Sequence, residues 1–529
     1  MIKSINRIRN YNLFYFALIA FAISLPFSEA LVSISSGLLF FIALTEDTLE
    51  NKLKRFNKNR FLLLISAVYL IYIISAVFSN RLSASLYDLR KSLFFLIIPI
   101  AFIFGKELSG KQKRYLFYFF LGAVTISTFI ALFRYLVINR DADIDIRNIS
   151  LISHIRFSFQ LVMALWFCIV LLTKNHNKLN VYGITALVAL SVYLISFLLF
   201  QHSLTGLIIL ISTLLFFVFY LICQTRGIKR NILLFFSILL TVIPLSYVLW
   251  VIYDFYGIEE IEKQSIEHKT SMGNMYSHDF DNPIVENGHF VYLYVCEKEL
   301  REEWNKISEF KYDSTGQNGF PVHSTLIRYL TSKGLRKDAA GVRSLNQGDI
   351  QNIEKGIANV IYQNKKFSLY PRIYQTVWEF YVYSHTGYAN NQSLSQRIEF
   401  ARAACNIIRK NFLFGVGTGN WMEEFKNAYI ANNSKLDERY YASSHNQYLN
   451  YMVKFGFIGF SIIVFLLTWP ILKTKRYHDI YFMLFLVFMF IANFADSNFE
   501  SHMGSSFFVF FFCLFLVTNG NKYMEMPES

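Results

Sequence analysis

Charge is scarce in this chain. Only 17% of its 529 residues are Asp, Glu, Lys or Arg, while 54% are hydrophobic. A chain this apolar needs lipid as its solvent, which excludes an ordinary water-soluble domain. Cysteine is also sparse. The five cysteines show no Cys-x-x-Cys spacing, so no structural zinc site is expected. Cys168, Cys223 and Cys513 lie in or at the ends of apolar runs, and Cys296 and Cys405 lie in one long polar segment. An oxidising compartment would permit one disulfide between that last pair. No Gly-x-Ser-x-Gly elbow and no His-Glu-x-x-His helix is present, so serine-hydrolase and zinc-protease chemistry lack their residues. Internal repeats and low-complexity tracts are absent too.

Aromatic residues take up the space that charge leaves. There are 55 Phe and 33 Tyr, and mean hydropathy is +0.34. The formal net charge is +14. Its excess cations sit in short segments between apolar runs, which is how topology is encoded, so nucleic acid is not expected as a partner.

A membrane span needs about 20 mostly apolar residues. Runs of this kind centre near residues 19, 37, 70, 98, 126, 162, 190, 214, 242, 462, 486 and 512. The sequence therefore predicts an all-α polytopic bundle of about 12 spans. The first run, beginning near Tyr11, is followed at once by a second and reads as a retained span, not a cleaved leader. With the N-terminus in the cytoplasm, the inner short segments hold 21 Lys and Arg, as in Lys52, Lys54, Arg55, Lys58 and Arg60, and the outer short loops hold five: Arg81, Arg90, Lys91, Arg140 and Arg147. Both termini are then cytoplasmic. The predicted organisation is a membrane domain over 1–253 with spans 1–9, a periplasmic loop domain over 254–444, and spans 10–12 over 445–529.

The loop domain reads as mainly helical. Gly348 to Gln363 spaces Ile350, Ile353, Ile357, Val360 and Ile361 as one helix. Pro371 opens another at its first turn. Ser393 with Gln396 forms a capping box ahead of Arg397.

Four groups on the predicted outer side are candidates for chemistry. Arg397 reads either as a solvated helix cation or as a phosphate clamp, since guanidinium pairs bidentately with phosphate oxygens. Gly415-Val-Gly-Thr-Gly-Asn420 lacks the Lys-Ser/Thr ending of a P-loop. It reads as a helix end and tight turn, with anion binding by backbone N–H groups as the alternative. In Ser443-Ser-His-Asn-Gln-Tyr-Leu-Asn, Ser443 or Ser444 caps the tenth span, placing His445, Leu449 and Met452 on one face. His445 reads as structural or catalytic, and it sits where a lipid headgroup would lie. Arg156, in His154-Ile-Arg, opens the sixth apolar run, and Arg90 ends the loop before the fourth; each either snorkels or pairs with an anion. The acidic stretch Asp141-Ala-Asp-Ile-Asp145 fails as a calcium loop, because Ile146 and Ile152 replace the turn Gly and the terminal Glu. A solvated acidic loop or a diacid clamp remains open for it.

Together these stretches resemble the O-antigen ligase and O-antigen polymerase superfamily. Ser395-Gln-Arg-Ile-Glu-Phe and Asn411-Phe-Leu-Phe-Gly-Val-Gly-Thr-Gly-Asn420 look like its arginine helix and glycine turn. Ser444-His-Asn-Gln-Tyr-Leu-Asn and Lys454-Phe-Gly-Phe-Ile-Gly-Phe460 look like its histidine motif. Gly288-His-Phe-Val-Tyr-Leu-Tyr-Val, within a long loop insertion, looks ligase-like. The resemblance implies transfer of a glycan from an undecaprenyl-pyrophosphate carrier to a hydroxyl at the periplasmic face of the bacterial inner membrane, with a lipid A–core sugar as acceptor. A polymerase or a protein O-oligosaccharyltransferase would share that chemistry, and a lipid-linked oligosaccharide transporter is the reading from another class. It further implies that His445 and Arg397 are catalytic, that Arg397, Arg156 and Arg90 bind the pyrophosphate, and that neither metal nor cofactor takes part. The expected partners are the carrier-linked donor, the hydroxyl acceptor and membrane lipid.

Overall fold

The computed structural model describes residues 12–138, 146–174, 179–262, 264, 266–363 and 368–517. The acidic stretch 141–145 and the chain ends lie outside the described residues, as do Arg140 and Lys178. Each apolar run of the sequence is a helix. In chain order these are α1 Leu13–Ser24, α2 Glu29–Thr45, α3 Leu49–Asn59, α4 Leu63–Val77, α5 Leu82–Ser92, α6 Phe94–Phe104, α7 Gly110–Ile138, α8 His154–Lys174, α9 Val181–Phe200, α10 Leu204–Gln224 and α11 Ile228–Phe255. A mainly helical stretch follows: α12 Glu297–Ile307, α13 Val322–Ser332, α14 Ala339–Arg343, α15 Gln347–Glu354, α16 Tyr370–Thr386, α17 Ser393–Lys410 and α18 Trp421–Ala431. Then come α19 Gln447–Lys473, α20 Ile480–Ala495 and α21 His502–Val517. Among the described residues, seven helices are long and apolar enough to cross a membrane, with shorter apolar helices beside them. The protein is a helical polytopic membrane protein. All five cysteines are free thiols.

Two units are distinct. One comprises 1–237 with 397–529, and the other 238–396. The first is built around α21, whose side chains from Met503 to Leu516 are all buried. A helix that is apolar on every face belongs inside a bundle. Its phenylalanines meet rings from several other helices: Phe510 lies 4.7 Å from Phe21, Phe511 5.2 Å from Phe120, and Phe515 5.5 Å from Phe485. The high Phe content is thus largely the packing material of this bundle, where offset rings fill space without polar atoms.

The second unit has its own core of Val291, Leu300, Trp304, Val322, Leu326, Leu330 and Ile353. Its only named strands among the described residues are Val285–Glu286 and His289–Phe290, a two-residue antiparallel pair. Buried Glu286 accepts from Arg328 at 2.7 Å and Asn359 at 2.6 Å.

Local structure departs from the sequence expectation at two places here. The helix expected over Gly348–Gln363 stops at Glu354, because Gly356 takes φ +84° and turns the chain left-handed. Only a 3₁₀ turn, Val360–Tyr362, continues the apolar spacing. Ser393 is the first residue of α17 rather than its cap. The Leu394 N–H is accepted by the Glu379 carboxylate at 2.9 Å, a stronger acceptor than a serine hydroxyl. Pro371 does open α16, as its fixed φ favours.

Candidate active site

His445 is not on the span that follows it. Asn446 is the N-cap of α19, its side-chain oxygen accepting from Tyr448 N at 3.0 Å and Leu449 N at 3.1 Å. A cap residue must be non-helical, so His445 precedes the helix with φ +46°. The expected face shared by His445, Leu449 and Met452 therefore does not form. Ser444 is engaged elsewhere. Its hydroxyl donates to Asn450 Oδ1 at 2.7 Å, and Asn450 Nδ2 donates to Ser497 Oγ at 2.7 Å. Gln447 Oε1 accepts Phe499 N at 2.7 Å, and the Tyr448 hydroxyl donates to Phe490 O at 2.9 Å. Asn446, Gln447, Tyr448 and Asn450 thus cap α19 or tie its start to residues 490–499, and Ser444 braces Asn450. The histidine is held at the junction.

There its imidazole meets Asp496. The Nδ1–Oδ1 distance is 3.3 Å. An ionised carboxylate only accepts, so Nδ1 carries a proton, and in the neutral ring Nε2 is then the nitrogen with the lone pair. Asp496 Oδ2 accepts from Arg156 Nη2 at 3.2 Å, and Oδ1 also accepts Ser497 N at 2.8 Å. Burial pushes the Asp496 carboxyl up, but hydrogen bonding from His445 and the Arg156 charge together outweigh it. The group stays ionised to below the usual carboxylate range. On its other side the His445 ring stacks on Phe400, centroids 5.4 Å apart. Phe400 lies three residues after Arg397 on α17, which places the two on neighbouring positions of one helix face. Arg397 is half-buried and has no hydrogen bond or ion pair among the described residues. Two predicted residues, His445 and Arg156, are thus linked through Asp496, and Phe400 joins the helix that carries Arg397 to the same imidazole. Arg90 is exposed and makes no such link; its charge acts instead on His502.

A small cavity borders Arg156, lined also by Phe159, Gln160, Met489, Asn498 and Phe507. Arg156 Nε, Gln160 Oε1 and Asn498 Oδ1 are buried without hydrogen-bond partners among the described residues, a set suited to ordered water.

The glycine turn is built differently from an anion nest. Val416 N donates to Val453 O at 2.8 Å and Gly417 N to Lys454 O at 2.9 Å, while Phe457 N donates to Phe412 O at 2.7 Å and Ile458 N to Leu413 O at 3.1 Å. Thr418 N donates to Ser75 Oγ at 3.0 Å. The N–H groups of Gly415, Val416, Gly417 and Thr418 are thus spent inside the protein and do not form an anion nest. What the turn does is pair with α19 where Gly456, at φ +63° and ψ −171°, breaks the helix. A Cβ on Gly456 would lie 2.4 Å from the Leu413 carbonyl, and one on Gly415 would lie 2.6 Å from Gly456 N. The two glycine motifs are the two halves of one backbone contact.

Beside it lies a buried ion cluster. Lys454 Nζ donates to Asp88 Oδ2 and to Glu500 Oε2, both at 2.6 Å. Trp421 Nε1 donates to the same Asp88 oxygen at 3.1 Å. Lys454 and Asp88 are 2% and 1% exposed. Lys454→Met should cost about 3–5 kcal/mol, because it strands the buried Asp88 and the half-buried Glu500 without a cation. Thermal unfolding in detergent checks this, and Lys454→Met with Asp88→Leu should recover part of the loss.

Asp496, Asp88 and Glu500 were not among the sequence candidates. The signal was present for two of them. Asp496 follows an apolar run directly, and Glu500 stands in the short segment between that run and the next, the kind of boundary position that singled out Arg156.

Residues 355–464 match the O-antigen ligase family model. The matched stretch contains Arg397, both glycine motifs and His445, and it ends before Asp496. No curated protein matches the chain. The match supports the resemblance to the O-antigen ligase and polymerase superfamily, and with it glycan transfer of that type by a membrane-embedded enzyme using a lipid-linked donor.

Proposed function

We propose that this protein transfers a glycan from undecaprenyl pyrophosphate to a hydroxyl of the lipid A–core, at the periplasmic face of the bacterial inner membrane. The observation that carries the reading is the Arg156–Asp496–His445 chain at the ends of three helices, with Arg397 beside it. His445 Nε2 takes the proton of the acceptor hydroxyl, with Asp496 holding the tautomer that leaves Nε2 free. The acceptor oxygen bonds to the anomeric carbon as the bond from that carbon to the pyrophosphate oxygen breaks. Attack from the opposite face inverts the configuration. Arg397 and the outward donors of Arg156 neutralise the leaving pyrophosphate, so the step needs no metal. The segment 254–444 then lies on the periplasmic side and contributes to acceptor choice. Arg90, apart from the cluster, is left to contact the donor further along.

A polymerase or a protein-directed transferase would use the same groups, and only the acceptor separates them. A transporter fits less well, since its polar groups would line a path through midspan. The test is transfer by the purified protein in bilayers, given carrier-linked glycan and each of three acceptors: lipid A–core, a second carrier-linked repeat, or a Ser/Thr peptide. Glycosylated lipid A–core is expected. Transfer to another acceptor would reassign the product, and transfer to none would end the reading. Arg397→Lys should slow transfer by about tenfold or more, because an ammonium lacks the guanidinium fork. An unchanged rate and donor affinity would remove Arg397 from the pyrophosphate site.

A further inference from the structure

Residues 412–414, Phe-Leu-Phe, are exposed by 49, 52 and 73%. They join the end of α17 to the glycine turn, and they are apolar where a water-facing loop would be polar. Their neighbour across the backbone contact is the outer face of α19. The Phe412 ring stacks on Phe457 with centroids 5.4 Å apart and planes within 11°. Phe457 and Ile458 are themselves 48% and 39% exposed. The patch is therefore continuous with a surface that already belongs to a membrane span.

Its depth follows from the helix. Beyond the break at Gly456, residues 457–473 of α19 make about 25 Å at 1.5 Å per residue. The hydrocarbon core takes about 20 residues. Counting back from Lys473, where the cationic inner end begins, sets the outer boundary near Lys454. Phe457 and Ile458 then lie about 5 Å below it, and Phe412–Phe414 lie at their level. The first two turns of α19, with His445 beyond them, fall in the headgroup zone. Directly before the patch stand Arg409 and Lys410, both exposed and without an ion-pair partner among the described residues. Cations above aromatic rings form the arrangement of an interfacial anchor, in which the cations meet lipid phosphates and the rings enter the chains.

Non-helical backbone is tolerated in hydrocarbon only where its polar groups are satisfied. The Phe412 and Leu413 carbonyls accept from Phe457 and Ile458. The pairing across Gly456 thus satisfies two of the carbonyls that entry into lipid would otherwise strand, and the segment's N–H groups stay close enough to the headgroup boundary to reach interfacial water.

We propose that residues 409–414 form a wedge in the outer leaflet, with Phe412, Leu413 and Phe414 in the acyl chains and Arg409 and Lys410 at anionic headgroups. The wedge fixes the height of the glycine turn, and with it α17, against the bilayer surface. This assignment does not depend on the reaction.

The test uses the full chain, freed of its native cysteines, in nanodiscs of phosphatidylethanolamine and phosphatidylglycerol. A nitroxide is attached at Phe414→Cys, with Phe465→Cys as the midspan reference and Lys426→Cys as the water reference. Collision with oxygen should dominate over collision with a nickel chelate at 414, as at 465 and opposite to 426. Nickel access equal to that at 426 would overturn the wedge. Shielding from both reagents would also overturn it, by showing a protein cover. Leu413→Cys repeats the measurement if the first variant folds poorly.

Discussion

His445→Ala is expected to lower the transfer rate by about a hundred- to ten-thousand-fold, the range that a positioned general base supplies. Donor binding should be nearly unchanged, because Arg397 and Arg156 remain. The companion variant is more diagnostic. Asp496→Asn keeps the shape but replaces an acceptor with a group that can donate. His445 Nδ1 then accepts a hydrogen bond, the proton moves to Nε2, and the base is lost without losing the ring. The rate should fall nearly as far as in His445→Ala. The pH profile separates this from a structural defect. Because Asp496 stays ionised to below the usual carboxylate range, it does not titrate in the working range of the wild type. Asp496→Asn should therefore be slow at every pH and not merely displaced along the axis. The sign for stability follows from the same shift. A carboxyl depressed in the folded state stabilises above its unfolded value, and that contribution is lost as pH falls through the folded value. The wild type should lose this increment only in strong acid, and Asp496→Asn should lack it throughout. Recovery of wild-type activity in Asp496→Asn at high pH would remove the tautomer argument.

The second large effect is on stability. Gly456→Ala should prevent accumulation of folded protein or lower the melting temperature by more than about 10 °C. The backbone there, φ +63° and ψ −171°, lies in a region that is essentially glycine's own, and occupying it costs another residue about 1–3 kcal/mol. The added Cβ would also meet the Leu413 carbonyl carbon and oxygen at 2.4 Å, and backbone cannot yield as a flexible side chain can. Gly122→Ala is the control. It lies inside α7 with nothing within 4 Å of the new Cβ, so helix propensity alone acts and stability should hold or rise by up to about 1 kcal/mol. Equal melting temperatures in the two variants would show that the pairing of 411–418 with 453–458 is not structural.

Much of the fold was legible because it is written in local pattern. Apolar runs of span length gave the helices, and Pro371 gave the start of α16. The candidate site was legible in part, through boundary charges and paired motifs. Three things resisted. The cap of α19 is ambiguous in sequence because Ser443, Ser444 and Asn446 are all good caps, and only the tertiary engagement of Ser443 and Ser444 by Asn450 leaves the role to Asn446. The glycine turn was read by itself, although its hydrogen bonds go to residues about forty positions on. Asp88 and Asp496 carry no local signal of partnership, since their cations stand 366 and 340 residues away. Such pairs depend on how the bundle closes, and no periodicity reports that.

That long separation also sets a clock. Asp88 is made early and its counter-ion late. At about 5–20 residues per second, roughly 20–70 s pass before Lys454 is synthesised. During that interval the carboxylate has no buried partner, and burying it alone would be costly. Docking of the helix Leu82–Ser92 with Asp88 ionised becomes favourable only once Lys454 is there to pair with it. The last step in closing this part of the bundle is thus tied to near-completion of the chain, and a chain that stops before residue 454 lacks the cation that pairs Asp88 and Glu500.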